Sequence, residues 1–200
     1  DFCLSRGLGD VYKRQGLYSV IRWQLPIAPQ AAKQYMPLLI GLSIAGVIYG
    51  SIVALRQKDL KKLLAYSSLA HVGLIAAGCY TLTIDGLSGA VNQMIAHGFV
   101  IVGLFFAAEI IYRRYNTRTI SELGGIRSQA PKFTSLFMIL VLASVALPGT
   151  YNFVGEFTVL YSLSQVNIWL AVFGGLTIIL GAYYMLKMFQ NVMLGETNAN

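Results

Sequence analysis

The chain has 200 residues, of which 56% are hydrophobic and 12% charged, with a formal net charge of +7. A water-soluble domain carries about a quarter charged residues, so this composition leaves too little polar surface for a soluble globule. The basic residues cluster in two loops, a pattern that sets orientation in a bilayer rather than a track for nucleic acid.

In chain order, residues 1–15 are polar and lack the apolar core of a secretory signal. They resemble translated adapter sequence and are expected to be foreign, so the native pattern starts at Gly16. Residues 16–25 read as the tail of a truncated helix, and Pro26, Pro29 and Pro37 mark a loop after it. Apolar runs of about 20 residues, the length that crosses a bilayer as a helix, then follow at 37–55, 60–82 and 86–112. A longer run at 131–163 is interrupted by Pro148-Gly149, and a last one covers 166–193. The runs are too continuous for barrel strands, which alternate over segments of about ten residues. The expected fold is therefore all-α: a polytopic transmembrane helix bundle of about five complete helices plus one truncated, with one helix broken at Pro148-Gly149.

Charge falls at every second loop. Arg56, Lys58, Lys61 and Lys62 lie after the first complete helix. Arg113, Arg114, Arg118, Arg127 and Lys132 lie after the third, and Lys187 lies near the end of the last. The turns around Asp85 and Gln165 hold no Lys or Arg, and the loop before Pro37 holds only Lys33. The alternation supports the helix count and places the basic loops in the cytoplasm. Cys3 and Cys79 show no pairing or metal-ligand spacing, and Gly46-Val47-Ile48-Tyr49-Gly50 reads as a small-residue packing surface.

Ionisable groups at membrane depth are costly and mark function by default. His71 lies mid-helix with Ser67 one turn before it, and His97 lies mid-helix with Gln93 one turn before it. Two midplane histidines on consecutive helices form either a proton relay, since imidazole titrates near neutral pH, or a satisfied polar pair that fixes packing. In lipid the relay is favoured. Pro148-Gly149 breaks its helix near mid-bilayer, a feature tolerated where helices line a cavity or are buried in protein. Glu156 follows two turns later, towards the side opposite the basic loops, where a carboxyl could exchange protons; the alternative is a kink with a carboxyl near the surface. Glu109 and Lys187 are expected to snorkel to the interface, and Lys61 and Lys62 to set orientation. No motif for NADH, flavin, an iron–sulfur cluster or a metal is present, and no catalytic residue is assigned.

Three stretches carry a family resemblance. Lys58-Asp59-Leu60-Lys61-Lys62-Leu63-Leu64-Ala65-Tyr66-Ser67-Ser68 with Ala70-His71-Val72-Gly73 resembles the tenth helix of the antiporter-like subunits of respiratory NADH:quinone oxidoreductase, complex I. Gln93-Met94-Ile95-Ala96-His97-Gly98 resembles the eleventh helix. Pro148-Gly149-Thr150 with Asn152-Phe153-Val154-Gly155-Glu156-Phe157 resembles the broken twelfth helix of subunit M (subunit 4) in particular, because the sister subunits usually carry lysine where Glu156 stands.

The resemblance implies a proton-translocating membrane subunit coupled to NADH-driven quinone reduction. Residues 16–200 would form the second inverted repeat, with His71 and His97 on a central hydrophilic axis and Glu156 at its outer end. The family's buried lysine of helix eight would fall just before Gly16, and Arg14 is not given that role. NADH, FMN, iron–sulfur clusters and quinone would be held by other subunits, and the partners would be flanking antiporter-like subunits and the lipid bilayer, in a bacterial inner membrane. Two alternatives stay open: a subunit of a multisubunit Na⁺/H⁺ antiporter or membrane-bound hydrogenase, and a structural scaffold.

Overall fold

The computed structural model describes residues 15–195. The leader expected to be foreign lies outside the described residues except for Gln15, and Cys3 lies outside them too. Among the described residues six long helices form the bundle: α1 (Met36–Leu55), α2 (Leu60–Tyr80), α3 (Ile84–Tyr115), α4 (Pro131–Ser144), α5 (Tyr151–Val166) and α6 (Ile168–Phe189). Helix α6 runs on into a π-helical turn, Gln190–Leu194. Four spans are long and apolar enough to cross a membrane by themselves: α1, α2, α3 and Ile168–Leu194. Helices α4 and α5 cross only together, since at 1.5 Å per residue each falls short of about 30 Å of hydrocarbon.

Helix α2 is central. Of its most apolar stretch 67% is buried in the bundle, against 28–39% in the other three long spans. Large apolar side chains such as Leu42, Phe99, Phe106, Ile139 and Ile179 point outwards, while Ser67, His71, Gln93, His97, Asn152 and Glu156 are buried inside. Lipid outside and polarity inside invert the soluble pattern, as expected where the surrounding solvent is hydrocarbon.

The proline-marked segment after residue 25 is more helical than the sequence reading expects. It forms Leu25–Ile27 and Pro29–Gln34 before α1. Each proline occupies a first-turn position, where its missing N–H has no intrahelical acceptor to lose. The preceding helical residues include a π-helical turn, Val20–Gln24.

The two basic loops sit at one end and are stitched together. Leu60 N–H donates to the Arg118 carbonyl at 2.9 Å, and Ile120 N–H donates to the Lys58 carbonyl at 2.8 Å. Between them, Asp59 caps α2 by accepting from the N–H groups of Lys61 and Lys62 at 2.8 and 3.0 Å. Helix α3 ends at Asn116, whose left-handed backbone (φ 51°) closes the last turn.

The break between α4 and α5 starts before its proline. Leu147 N–H reaches back to the Leu142 carbonyl at 3.2 Å and Ala146 N–H to that of Ala143 at 3.3 Å. With Ala146 at φ 54°, this is a Schellman stop, and Pro148 then prevents the helix from resuming. Asn152 Nδ2, on the first turn of α5, donates to the Ala143 carbonyl at 2.7 Å and ties the two halves together.

Of the expected packing pair in α1, Gly50 meets α2: an added Cβ would lie 3.0 Å from Ala70 N. Gly46 faces open space. The tightest approach bearing on the polar interior is at Gly155, where an added Cβ would lie 2.8 Å from Gln93 N and 2.9 Å from its Cα. Gly155→Ala is therefore expected to wedge α5 from α3 and destabilise the protein by about 1–3 kcal/mol, the usual cost of overpacking. A fall in the thermal midpoint of the detergent-purified complex checks this; an unchanged midpoint would show that the contact is slack.

Candidate proton-transfer site

The buried polar residues converge from α2, α3 and α5 on one cluster. Mid-helix in α2, His71 is 3% exposed; mid-helix in α3, Gln93 and His97 are 0% and 1% exposed; in α5, Glu156 is 1% exposed. The close α3–α5 approach at Gly155 carries the neighbouring Glu156 to Gln93, whose Nε2 donates to Glu156 Oε1 at 2.9 Å. His71 Nδ1 stands 2.9 Å from the same oxygen. The rings of His71 and His97 follow, with centroids 4.7 Å apart and planes tilted by 36°. His97 Nε2 is 3.3 Å from Ser68 Oγ, and Ser67 Oγ accepts from the Tyr184 hydroxyl of α6 at 3.1 Å.

Chemically, the cluster is a buried carboxyl and two imidazoles in serial contact. An isolated ionised carboxylate is costly in a low-dielectric interior. The Glu156–His71 pair avoids that cost in two ways: as neutral acid beside neutral imidazole, or as carboxylate beside imidazolium. His71 Nδ1 lies at ion-pair distance from Glu156 Oε1, 2.9 Å, but without hydrogen-bonding geometry, so a small reorientation of either side chain separates contact from bond. Glu156 Oε2 and Gln93 Oε1 are buried acceptors with no donor among the described residues, and such groups are satisfied by a proton or by water.

The sequence-derived site residues come together, with altered pairings. Ser67 bonds Tyr184 and not His71, while Gln93 bonds Glu156 across the helix interface and not His97. Glu156 touches His71 itself and stands at one end of the line that runs through His71 to His97. Sequence reasoning gave no role to Ser68, Asn152 or Tyr184. The first two lie within the motif stretches, where adjacency to His71 and to the helix break was a usable signal; Tyr184 stands in an apolar run without one.

Two charged residues also depart from expectation. Lys61 turns inwards, 7% exposed, and places Nζ 2.6 Å from Glu109 Oε2 and 5.7 Å from the centroid of the Tyr112 ring. Glu109 also takes Arg113 Nε at 3.1 Å, and Arg118 covers the Tyr112 ring at 4.0 Å. Ends of α2 and α3 that are held side by side by the stitched loops bring these charges within reach, so pairing replaces snorkelling. Lys187 lies at the surface over Tyr183, as expected.

A membrane helix bundle with a broken helix and a buried carboxyl–imidazole line is the architecture to be compared with known proteins. The family model described as NADH:quinone oxidoreductase/Mrp antiporter, transmembrane, matches residues 8–181; the chain belongs to this family. It is 42% identical to NADH-quinone oxidoreductase subunit M of Rickettsia bellii over 94% of its own length and 38% of that relative's. A chain of respiratory complex I from Thermus thermophilus superposes with a TM-score of 0.93 at 36% identity, covering 97% of this chain and 41% of that one. A chain of the Mrp complex from Dietzia sp. shares the fold, with a TM-score of 0.78 at 23% identity over 82% of this chain and 31% of that one. The chain thus spans about two fifths of the length of these relatives.

Lys61→Met would remove the ammonium that lies 2.6 Å from the partly buried Glu109. A loss of about 1–3 kcal/mol is expected, read as a lowered thermal midpoint that Lys61→Arg largely restores.

Proposed function

We propose that this chain carries, over residues 16–200, the proton-conducting second repeat of a subunit M in NADH:quinone oxidoreductase. In this reading quinone reduction by NADH in neighbouring subunits drives protons through the bundle. The observation that carries it is the 2.9 Å contact between Glu156 and His71, continued by the 4.7 Å ring contact to His97. Buried polar side chains that served packing alone would not need a carboxyl set against an imidazole at membrane depth.

His71 and His97 are the relay, and Glu156 takes and gives the proton. Gln93 holds the carboxylate by its hydrogen bond, while Ser67 and its neighbour Ser68 supply hydroxyls beside the imidazoles. The break at Pro148-Gly149 ends α4 so that α5 can present Glu156 to the interior. NADH, FMN, the iron–sulfur clusters and quinone belong to other subunits, and no redox step occurs in this chain. Its partners are flanking antiporter-like subunits and lipid. It lies in a bacterial inner membrane with the basic loops in the cytoplasm, in keeping with the location of both loops at one end.

The test is Glu156→Gln in the complete subunit within its complex. NADH-driven acidification of inverted vesicles is expected to fall to less than about a tenth, with the complex still assembled. Normal acidification would reject Glu156 as a proton carrier and leave the scaffold reading. Na⁺/H⁺ exchange without NADH in the unsubstituted vesicles would favour an antiporter.

A further inference from the structure

The basic end of the bundle holds a cavity of about 410 Å³ between the α1–α2 loop, the Ile120 loop and the last turns of α6. Arg56, Lys58 and Lys187 line its mouth, all three exposed, and Tyr184 stands in its wall. Tyr184 is itself 3% exposed, so it has one side on the cavity and the other inside the bundle. Its hydroxyl donates to Ser67 Oγ at 3.1 Å. Ser67 lies one turn from His71 on the same face of α2, and its neighbour Ser68 contacts His97 Nε2 at 3.3 Å. A buried tyrosine needs some partner for its hydroxyl; this one brings the wall of the basic-end cavity to within one helical turn of His71.

We propose that Tyr184 and Ser67 form the proton intake from the basic-end cavity to His71 and His97, an inference that rests on the proton-translocation reading above. Water in the cavity gives a proton to the phenol oxygen as the phenol passes its own to Ser67 Oγ. Ser67 releases its hydroxyl proton to an intervening water, which hands one on to the imidazole of His71 one turn away. The donor is a hydronium ion in the cavity water, which is left as neutral water; the phenol and serine hydroxyls are neutral before and after, and the positive charge passes to the imidazole. The exposed cations at the mouth are screened by salt and cost the intake little. A neutral hydroxyl chain passes protons and admits no metal ion.

The experiment uses the whole complex, with the complete subunit, in inverted vesicles whose basic loops face the bath. Tyr184→Phe removes one oxygen and keeps the ring. It is expected to slow NADH-driven proton uptake about tenfold or more and to alter the solvent deuterium isotope effect on that rate, which a packing defect would not do. Independently, Asn191→Cys at the cavity rim, modified from the bath with a sulfonate-bearing methanethiosulfonate, is expected to lose uptake relative to the same complex before modification. Unsubstituted complex given the reagent supplies the background. Uptake and isotope effect unchanged in Tyr184→Phe, or a fully modified Asn191→Cys that pumps as before, overturns the intake. Where Tyr184→Phe does not assemble, the Asn191→Cys block decides alone. If Glu156→Gln stops pumping in the same membranes, the central site stands and only this route falls; if it is silent too, both readings fall.

Discussion

A carboxyl oxygen 2.9 Å from an imidazole nitrogen, both nearly sealed from solvent, is the contact around which the rest of this bundle is arranged. Neither group is at ease in hydrocarbon alone, and together they are stable only if their separation is held. Three features hold it. The glycine-backed approach of α5 to α3 sets Glu156 against Gln93. The helix break frees α5 from the direction of α4. The burial of α2 on most of its circumference places His71 at the centre. Remove the pair and none of these features has an evident purpose, since an apolar bundle packs well without a broken helix or a buried glutamate.

Helices and their number were legible in the sequence because lipid imposes a simple grammar: apolar runs of fixed length, with positive charge at every second loop. The break was legible for a local reason, Pro148-Gly149. Its onset at Ala146 was not, because a Schellman stop with alanine in the left-handed position carries no composition signal. The helical turns between Leu25 and Gln34 were hidden by prolines, which read as breakers although each sits where a helix accepts one.

For the site, residue types were legible and pairings were not. Being polar in an apolar run is a one-dimensional property, and it picked out His71, His97, Gln93 and Glu156. Which of them touch depends on helix rotation and on the crossing of α3 with α5, settled by Gly155. Lys61 and Glu109, 48 residues apart in sequence, looked like two independent interfacial charges for the same reason. Their meeting follows from the two loops being joined edge to edge, a long-range pairing that composition does not reveal.

That edge-to-edge join also has a mechanical meaning. At the basic end α2 is fastened to the connection after α3, while α3 and α5 are locked in depth by backbone contact at Gly155. A tilt of α2 about its fastened end therefore changes the Glu156–His71 gap directly. His71 lies 12 residues beyond Asp59, a lever arm of about 18 Å. A tilt of roughly 3° moves the imidazole by about 1 Å, enough to open a 2.9 Å contact past hydrogen-bonding range. A small angular displacement at the loops is thus magnified at the centre of the bundle, where the carboxyl and imidazole meet.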